Sequence, residues 1–594
     1  MRKGKRNILI AVILMFSLLL NGHPQEAYAL ATQSTHISAL KDYVFGDENT
    51  IVQIKPVNGM YIVFLSICDT KSRALVFKGT GQTIESAWNA AEEKATAAAA
   101  EKNYEIIWVK ADIVDSAEVI DTVDLNKEVE ENYYQNFWRK GIAFDTGFST
   151  AYLEAEVNGN KMLTYYTESE LVEGKVDYDS ILLNLTNINH YRKTYYGLDE
   201  IKSIPDKITV FTTTGFFCDE NINLYKLYAY GLDHGRRQIE VTDDKVIETV
   251  IINASNYLYD MLQPNGEFQY GYFPVFDNKM GSYNILRHTG SIWSLINLYR
   301  MTNDEALIPK LDSSISYLLD GYIEYKSDDA AYVIERKVNE VKLGGNALAV
   351  ILLTEYMDVF KTDKYTELVR HLANGILELE DLNNGTYYHV LNFPDYSPKE
   401  EYRTVYYDGE ATFALTRAYT CTKDQKYLDG AKAAVENFIL TDYTVYRDHW
   451  VAYALNEITK YIPDERYYKF ALQNVQYNLD TIYYQETSYH TYLELLMVSW
   501  QTYERLIESN IQVEYLNEFD VDYFAQTIYK RAKHMLNGYF YPEYAMYMKA
   551  PHKALNAFFV RHDNYRIRID DIQHFIGGYY LYTQYYEHIL PYLY

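Results

Sequence analysis

The ionisable residues of this chain come in short bursts, each opening an apolar or small-residue run. They are Arg287-His288-Thr289-Gly290, Lys342 with Gly344 and Gly345, Tyr406-Tyr407-Asp408-Gly409-Glu410, Arg447-Asp448-His449-Trp450, His490 with Glu494, and Arg566, Arg568, Asp570, Asp571 and His574. Two chemistries suit such a set. Two carboxyl groups flanking a glycosidic bond, one protonated as acid and one ionised to activate water or to attack, cleave it. Asp408 or Glu410, set among aromatic residues that would lift a carboxyl pKa, is the candidate acid, and Asp448 the candidate base. Alternatively, histidines on opposite sides of a sugar exchange a proton on carbon, as an epimerase or a polysaccharide lyase does. His288, His449, His490 and His574 are the candidates for that role.

Each group also has a plain structural reading. Asp408, Asp448, Asp570 and Asp571 could cap helix N-termini, and Gly344 with Gly345 suits close packing. His490 and Glu494 form an i, i+4 pair that could ligate a metal but, without a third ligand, suits a structural hydrogen bond. No Cys-x-x-Cys or Cys-His spacing supports zinc, so no metal or other cofactor is expected. Arg287, Lys342, Arg403, Arg447, Arg566 and Arg568 could bind a uronate, or only neutralise nearby carboxylates. Catalysis is assigned to Asp408, Glu410, Asp448 and His449. Substrate binding is assigned to Arg287, His288, Lys342, Tyr407, Trp450, His490, Glu494, Arg568, Asp570, Asp571 and His574.

The elements that must position these residues are helices. From about residue 239 to 594, periodicity and breakers predict spans near 244–262, 285–301, 303–323, 344–360, 362–380, 409–421, 424–440, 449–459, 463–484, 488–509, 518–536 and 573–592. Odd-numbered helices are amphipathic, as in DQKYLDGAKAAVENFIL, whereas even-numbered ones are apolar or small nearly all round, as in GGNALAVILLTEYM. Even-to-odd connections are short and polar; odd-to-even connections are long and strand-like. Six such hairpins, repeating every ~55 residues, make an (α/α)6 toroid with buried inner helices and amphipathic outer ones. The inner helices then open on one face, where all six bursts fall. Residues 30–238 read as a smaller α+β domain, with strands at Tyr61–Ile67 and Ile208–Thr213, an Ala-rich helix over Thr83–Glu101 and no catalytic motif. The linker falls near Asp233–Arg237, and the fold class is mostly α.

This layout resembles the six-hairpin glycosidase superfamily, which also includes sugar 2-epimerases and uronate-acting enzymes. The likeness is architectural and covers residues 240–594. It implies a carbohydrate substrate more than a particular reaction. A glycoside hydrolase acting on an extracellular or cell-envelope polysaccharide is the leading expectation. The alternatives are a lyase or epimerase using the histidines, and a non-catalytic module that binds or helps assemble envelope glycan.

Composition narrows the partners. With 82 Asp and Glu against 55 Lys and Arg, the formal charge is −27, which would repel a phosphate backbone and excludes nucleic acid. Arg2, Lys3, Lys5 and Arg6 precede an apolar run from Ile8 to Leu20, and Ala27-Tyr28-Ala29 offers a small-x-small cleavage site. Residues 1–29 are therefore read as a signal peptide cleaved near Ala29, and the protein as secreted or extracytoplasmic. No later stretch is read as a membrane span. Three widely spaced cysteines, Cys68, Cys218 and Cys421, allow one disulfide at most. The 63 tyrosines are the compositional oddity. Those in the odd-to-even loops, such as Tyr388, Tyr406, Tyr446, Tyr489 and Tyr492, could stack on sugars.

Overall fold

The computed structural model describes residues 24–132, 136–164, 182–509 and 511–593. The basic start and apolar run of the leader, Arg2 to Leu20, lie outside the described residues.

The first half of the chain builds a seven-stranded antiparallel sheet. Its strands are β1 (Tyr61–Cys68), β2 (Leu75–Gly81), β3 (Trp108–Asp121), β4 (Gly141–Ala143), β5 (Ala151–Tyr152), β6 (Lys207–Cys218) and β7 (Leu224–Lys226). Their order is β2-β1-β3-β6-β4-β5, with β7 added on β6. β1 is apolar on both faces and buried along nearly its whole length, so the sheet must be covered on both sides. One cover is helical: α1 (Pro24–Gly46) contributes Ile37, Leu40 and Val44, and α2 (Ile84–Lys102) contributes Ala87, Trp88, Ala91, Ala95 and Ala99. A Thr83–Ser86 capping box starts α2. Gly79 lets it approach β2, since a Cβ there would sit 1.9 Å from the Ala87 carbonyl oxygen. Cys68, Cys218 and Cys421 are all free thiols.

The second half is the toroid. Its outer helices are α3 (Asp244–Asp260), α5 (Ile308–Tyr322), α7 (Thr366–Leu377), α9 (Gln425–Leu440), α11 (Glu465–Gln476) and α13 (Val521–Met535). Its inner helices are α4 (Ile285–Thr302), α6 (Leu343–Phe360), α8 (Tyr406–Thr422), α10 (His449–Ile458), α12 (Thr491–Glu508) and α14 (Ile569–Ile589). Each inner helix packs on the next, and α14 packs back on α4, closing an (α/α)6 ring. Burial follows the sequence pattern: α6 is buried from Leu343 to Met357, whereas α7 buries one stripe, Val369, Leu372, Ala373 and Ile376. Contrary to the sequence expectation, α6 is long and apolar enough to cross a membrane. It is the one such helix among the described residues, and most of it is buried inside the ring.

The short turns after α4, α6 and α8 share one device. Asn303, Lys361 and Lys423 adopt left-handed backbone, and their N–H groups bond Tyr299, Met357 and Tyr419 carbonyls. Three predicted bounds shift. α8 starts at Tyr406, because Gly409 is a packing glycine and not a helix-start marker: a Cβ there would lie 2.7 Å from the Val451 nitrogen on α10. α14 starts at Ile569, which takes Asp570 and Asp571 into its first turn. The predicted helix over 463–484 breaks after Gln476 and resumes as a short helix, Leu479–Tyr483.

Long loops on the inner-helix N-terminal face are stitched into small sheets. Lys342 pairs with Val390 across strands that enter α6 and precede α8, and Ile567–Arg568 pairs with Gly271–Phe273, tying the entry of α14 to the first hairpin. The first sheet meets the toroid on the segment between α13 and α14. Ala74 N–H donates to the Met546 carbonyl at 2.8 Å, and the Ser66 and Tyr547 hydroxyls lie 2.9 Å apart. Arg237 grips buried Glu543 through its side chain and its backbone N–H at 2.7–3.2 Å.

Candidate active site

Three adjacent inner helices bring the histidines together. His449 is the first residue of α10, His490 precedes α12, and His574 lies in the second turn of α14. The His449 and His574 ring centroids are 5.0 Å apart and nearly perpendicular, while His490 stacks on His574 at 5.2 Å. Below them Trp450, Trp293, Phe413 and Tyr453 form an aromatic floor with neighbouring centroids 5.3–5.8 Å apart.

Glu494 decides how these rings differ. It does not pair with His490, as the i, i+4 spacing suggested, but reaches across to α14. His574 Nδ1 donates to Glu494 Oε2 at 2.6 Å, and the Tyr453 hydroxyl donates to Oε1 at 3.2 Å. Burial opposes a charge on His574, but Glu494, reinforced by Asp570 and Asp571, holds its pKa above the ordinary imidazole value. Burial lifts Glu494 in turn, against the pull of His574, so one proton stays between Nδ1 and Oε2. His449 is the opposite case. Both its ring nitrogens are buried without a hydrogen-bond partner, and burial, then the His574 and His490 charges, push its pKa well below the usual value. Burial does the same to His490.

His449, Glu494 and His574 could in composition hold a cation. Ligand atoms arranged tetrahedrally around zinc at ~2.0–2.1 Å stand more than 3 Å apart. The 2.6 Å His574–Glu494 contact is a hydrogen bond and does not fit that arrangement.

The carboxyl candidates sit on the α8 side, largely closed in. Glu410 is buried, its Oε2 has no hydrogen-bond partner, and burial lifts its pKa well above the usual range. Asp448 is wholly buried, N-caps α10 through the Trp450 N–H at 2.9 Å, and is likewise lifted by burial. Asp408 faces a cavity of about 580 Å³. It is not a cap: Oδ1 accepts from His389 Nε2 at 3.2 Å and Oδ2 from the Tyr443 hydroxyl at 2.6 Å. His389 Nδ1 accepts the Arg403 N–H at 2.9 Å, which fixes the tautomer that donates to Asp408. Tyr407 is buried, its ring 5.4 Å from that of His389.

The cations are mostly spent on fixed acids. Arg287 lies 2.8 Å from Asp570, Arg568 3.0 Å from Asp571 and 2.5 Å from Asp570, and Arg566 3.1 Å from Asp571. Burial and Asp570 lift the Asp571 carboxyl, against Arg568 and Arg566. Lys342 lies 3.6 Å from Glu340 and 4.0 Å from Glu335. His288 is a correction to the sequence assignment, because it points into the wall. Tyr283 OH donates to Nδ1 at 2.7 Å, Nε2 donates to the Ser314 carbonyl at 3.2 Å, and burial lowers its pKa to about 4. Sequence reasoning singled out neither His389 nor Tyr443. His389 stands in the strand-like loop before α8, and the Val390–Glu400 pairing, with the bond from the His389 N–H to the Glu401 carbonyl, folds the chain leading to Asp408 back beside it.

A second cavity, of about 390 Å³, is lined by Tyr406, Arg447, Tyr489, Tyr492 and His562 among others. The Tyr406 ring lies 5.6 Å from His449 and that of Tyr489 5.7 Å from His490, so this cavity lies over the tyrosine rings that cover those histidines, which do not themselves line it. The Tyr406 and Tyr489 hydroxyls meet at 3.2 Å. Tyr446 lines both cavities.

No family model matches the chain, and comparison with curated proteins gives no significant match. Several solved structures are similar in outline. A D-mannose isomerase aligns with TM-score 0.43 and 13% identity over 58% of this chain and 98% of its own. The cellobiose 2-epimerase of Bacillus thermoamylovorans gives 0.41 and 10% over 50% and 89%. A GH76 α-mannanase of Bacteroides thetaiotaomicron gives 0.39 and 13% over 59% and 100%. At these values the likeness carries nothing about chemistry, and the closed ring of inner helices stands on its own packing.

Proposed function

We propose that the protein is a carbohydrate-active enzyme that moves protons between histidines and a sugar carbon, as an epimerase or a lyase does. The observation that carries this reading is the His449–His574 pair: two rings 5.0 Å apart whose surroundings push them in opposite directions. A neutral imidazole with free nitrogens is a base, and one held protonated by a carboxylate is an acid; such divergence marks an acid–base pair. Removing a proton from carbon requires a neighbouring carbonyl or carboxylate to stabilise the charge that develops. Arg447, in the cavity over the histidines, is the cation placed for that group. Hydrolysis is the second reading, favoured by Glu410, a buried carboxyl kept protonated. It ranks lower because burial lifts Glu410 and Asp448 in the same direction, so they are not driven apart as an acid and a base, and Asp408 is engaged on both oxygens. The basic start, apolar run and Ala27-Tyr28-Ala29 support work outside the cytoplasm on an envelope or extracellular glycan. The sheet domain, residues 30–238, serves in this reading as a brace for the loop that carries α14 into the site.

Incubation with envelope and capsular polysaccharides in deuterium oxide tests this. Deuterium entering the sugar without cleavage marks an epimerase, and ultraviolet absorbance of an unsaturated uronate marks a lyase. New reducing ends with neither signal would replace the proposal with hydrolysis.

A further inference from the structure

We propose that the 580 Å³ cavity between the loops entering α8 and α10 is a separate saccharide site that takes an uncharged or amino-bearing sugar unit and turns away a carboxylated one. The inference rests on the protein being carbohydrate-active, but not on the histidine mechanism.

The cavity volume falls within the ~300–1,000 Å³ of small-molecule sites. Its walls carry Tyr387, Tyr388, Tyr402, Tyr443 and Tyr446. Tyr402 and Tyr446 are 58% and 49% exposed, which is unusual for large rings and places them as platforms at the mouth. A sugar presents C–H faces that stack on such rings and hydroxyls that need acceptors.

The acceptors here are acidic. Asp381, Glu401 and Asp408 line the cavity, and His389 is the single basic side chain among the lining residues. Its nitrogens are committed, Nε2 to Asp408 and Nδ1 to backbone N–H groups. Asp408 is rigidly held, yet each carboxylate oxygen keeps a second lone pair for a sugar hydroxyl. A carboxylated sugar would meet only like charge, whereas an ammonium group would be drawn in. The neighbouring cavity over the histidines is the reverse, with Arg447 as its cation and no acid among its lining residues. Arg447 is held there in left-handed backbone, φ 54°, an unusual conformation for a side chain of its size. Tyr446 forms the shared wall, so one glycan can occupy both cavities with an anionic unit over the histidines and an uncharged or amino unit beside Asp408.

Calorimetric titration of the full chain carrying His449→Asn, in which turnover is silenced, measures binding without chemistry, and substitutions at Tyr402 and Glu401 isolate this site. Cellotetraose and a glucosamine tetrasaccharide are expected to bind, and Tyr402→Ala to weaken both about tenfold. Glu401→Gln, at an exposed position, is expected to reduce the preference for the amino sugar while sparing cellotetraose. Tetragalacturonate is expected to lose no affinity on Tyr402→Ala. The proposal is overturned if neither uncharged nor amino tetrasaccharide binds, if Tyr402→Ala leaves both affinities unchanged, or if it weakens tetragalacturonate as much as the others. Failure of deuterium exchange in the unsubstituted protein, with these affinities intact, would sink only the histidine mechanism.

Discussion

His574 Nδ1 and Glu494 Oε2 stand 2.6 Å apart on different inner helices, with the Glu494 side chain wholly buried and that of His574 14% exposed. That contact makes the two histidines unlike. Replacing Glu494 by Gln removes the charge that holds His574 above its ordinary pKa, so His574 loses its proton at lower pH. The limb of kcat that requires the imidazolium should move to lower pH, with kcat at neutral pH falling about a hundredfold. The pH profile of deuterium incorporation checks this; an unmoved limb would show that His574 is not the acid.

His449 should be dispensable for the fold and indispensable for turnover. Two buried ring nitrogens without partners are a cost, since unsatisfied polar groups lose hydration and gain nothing. His449→Leu is therefore expected to keep or raise Tm while lowering proton exchange by at least ~10²-fold. A fall in Tm together with full activity would reverse both parts of the assignment.

Chelation separates the hydrogen-bonded reading of Glu494 and His574 from a cation held with His449. Because His574 Nδ1 and Glu494 Oε2 are bonded to each other at 2.6 Å, closer than two tetrahedral zinc ligands from separate side chains stand, treatment with a chelator should leave exchange within about twofold. Loss of activity restored by added zinc would instead place a metal at this triad.

Asp448→Asn discriminates between the two reactions. Burial lifts the Asp448 pKa, so the stability tied to its proton is complete below the unfolded value of about 3.9 and is lost as pH rises towards the folded one. Asn keeps the N-cap and has no proton to lose. The variant should match the parent near pH 4, exceed it in Tm increasingly as pH rises, and retain activity within about threefold. Loss of turnover with normal folding would restore Asp448 as the base of a hydrolase.

The ring was legible because burial leaves a mark on sequence: α6 is apolar on all sides and α7 on one, and loop lengths alternate with them. The site was legible only as a neighbourhood. His449, His490 and His574 could be placed at inner-helix starts, but Glu494 was paired with the wrong histidine because spacing along α12 hides a partner on α14. His288 also lies at an inner-helix start, but as the fourth residue of α4 rather than the first, as His449 is in α10, it meets Tyr283 and Ser314 instead of the other histidines. His389 reaches Asp408 through strand register, which no helical period encodes. The Asp residues divided: Asp448 is a cap, whereas Asp408 is not, because α8 begins before Gly409.

Gly344 gives the sharpest structural test of how the carboxyl wall is packed. A Cβ at this position would stand 2.2 Å from Glu410 Oε2 and 2.7 Å from the Tyr407 ring. Gly344→Ala should cost about 1–3 kcal/mol, the usual cost of overpacking a core, even though alanine favours a helix interior more than glycine does. If the clash with Glu410 is the cause, Gly344→Ala combined with Glu410→Ala should be less destabilised than the sum of the two single changes. Denaturant unfolding of the four proteins measures that coupling. Strict additivity would mean that Gly344 is kept for the Tyr407 ring or the backbone, and that Glu410 is not pressed against α6.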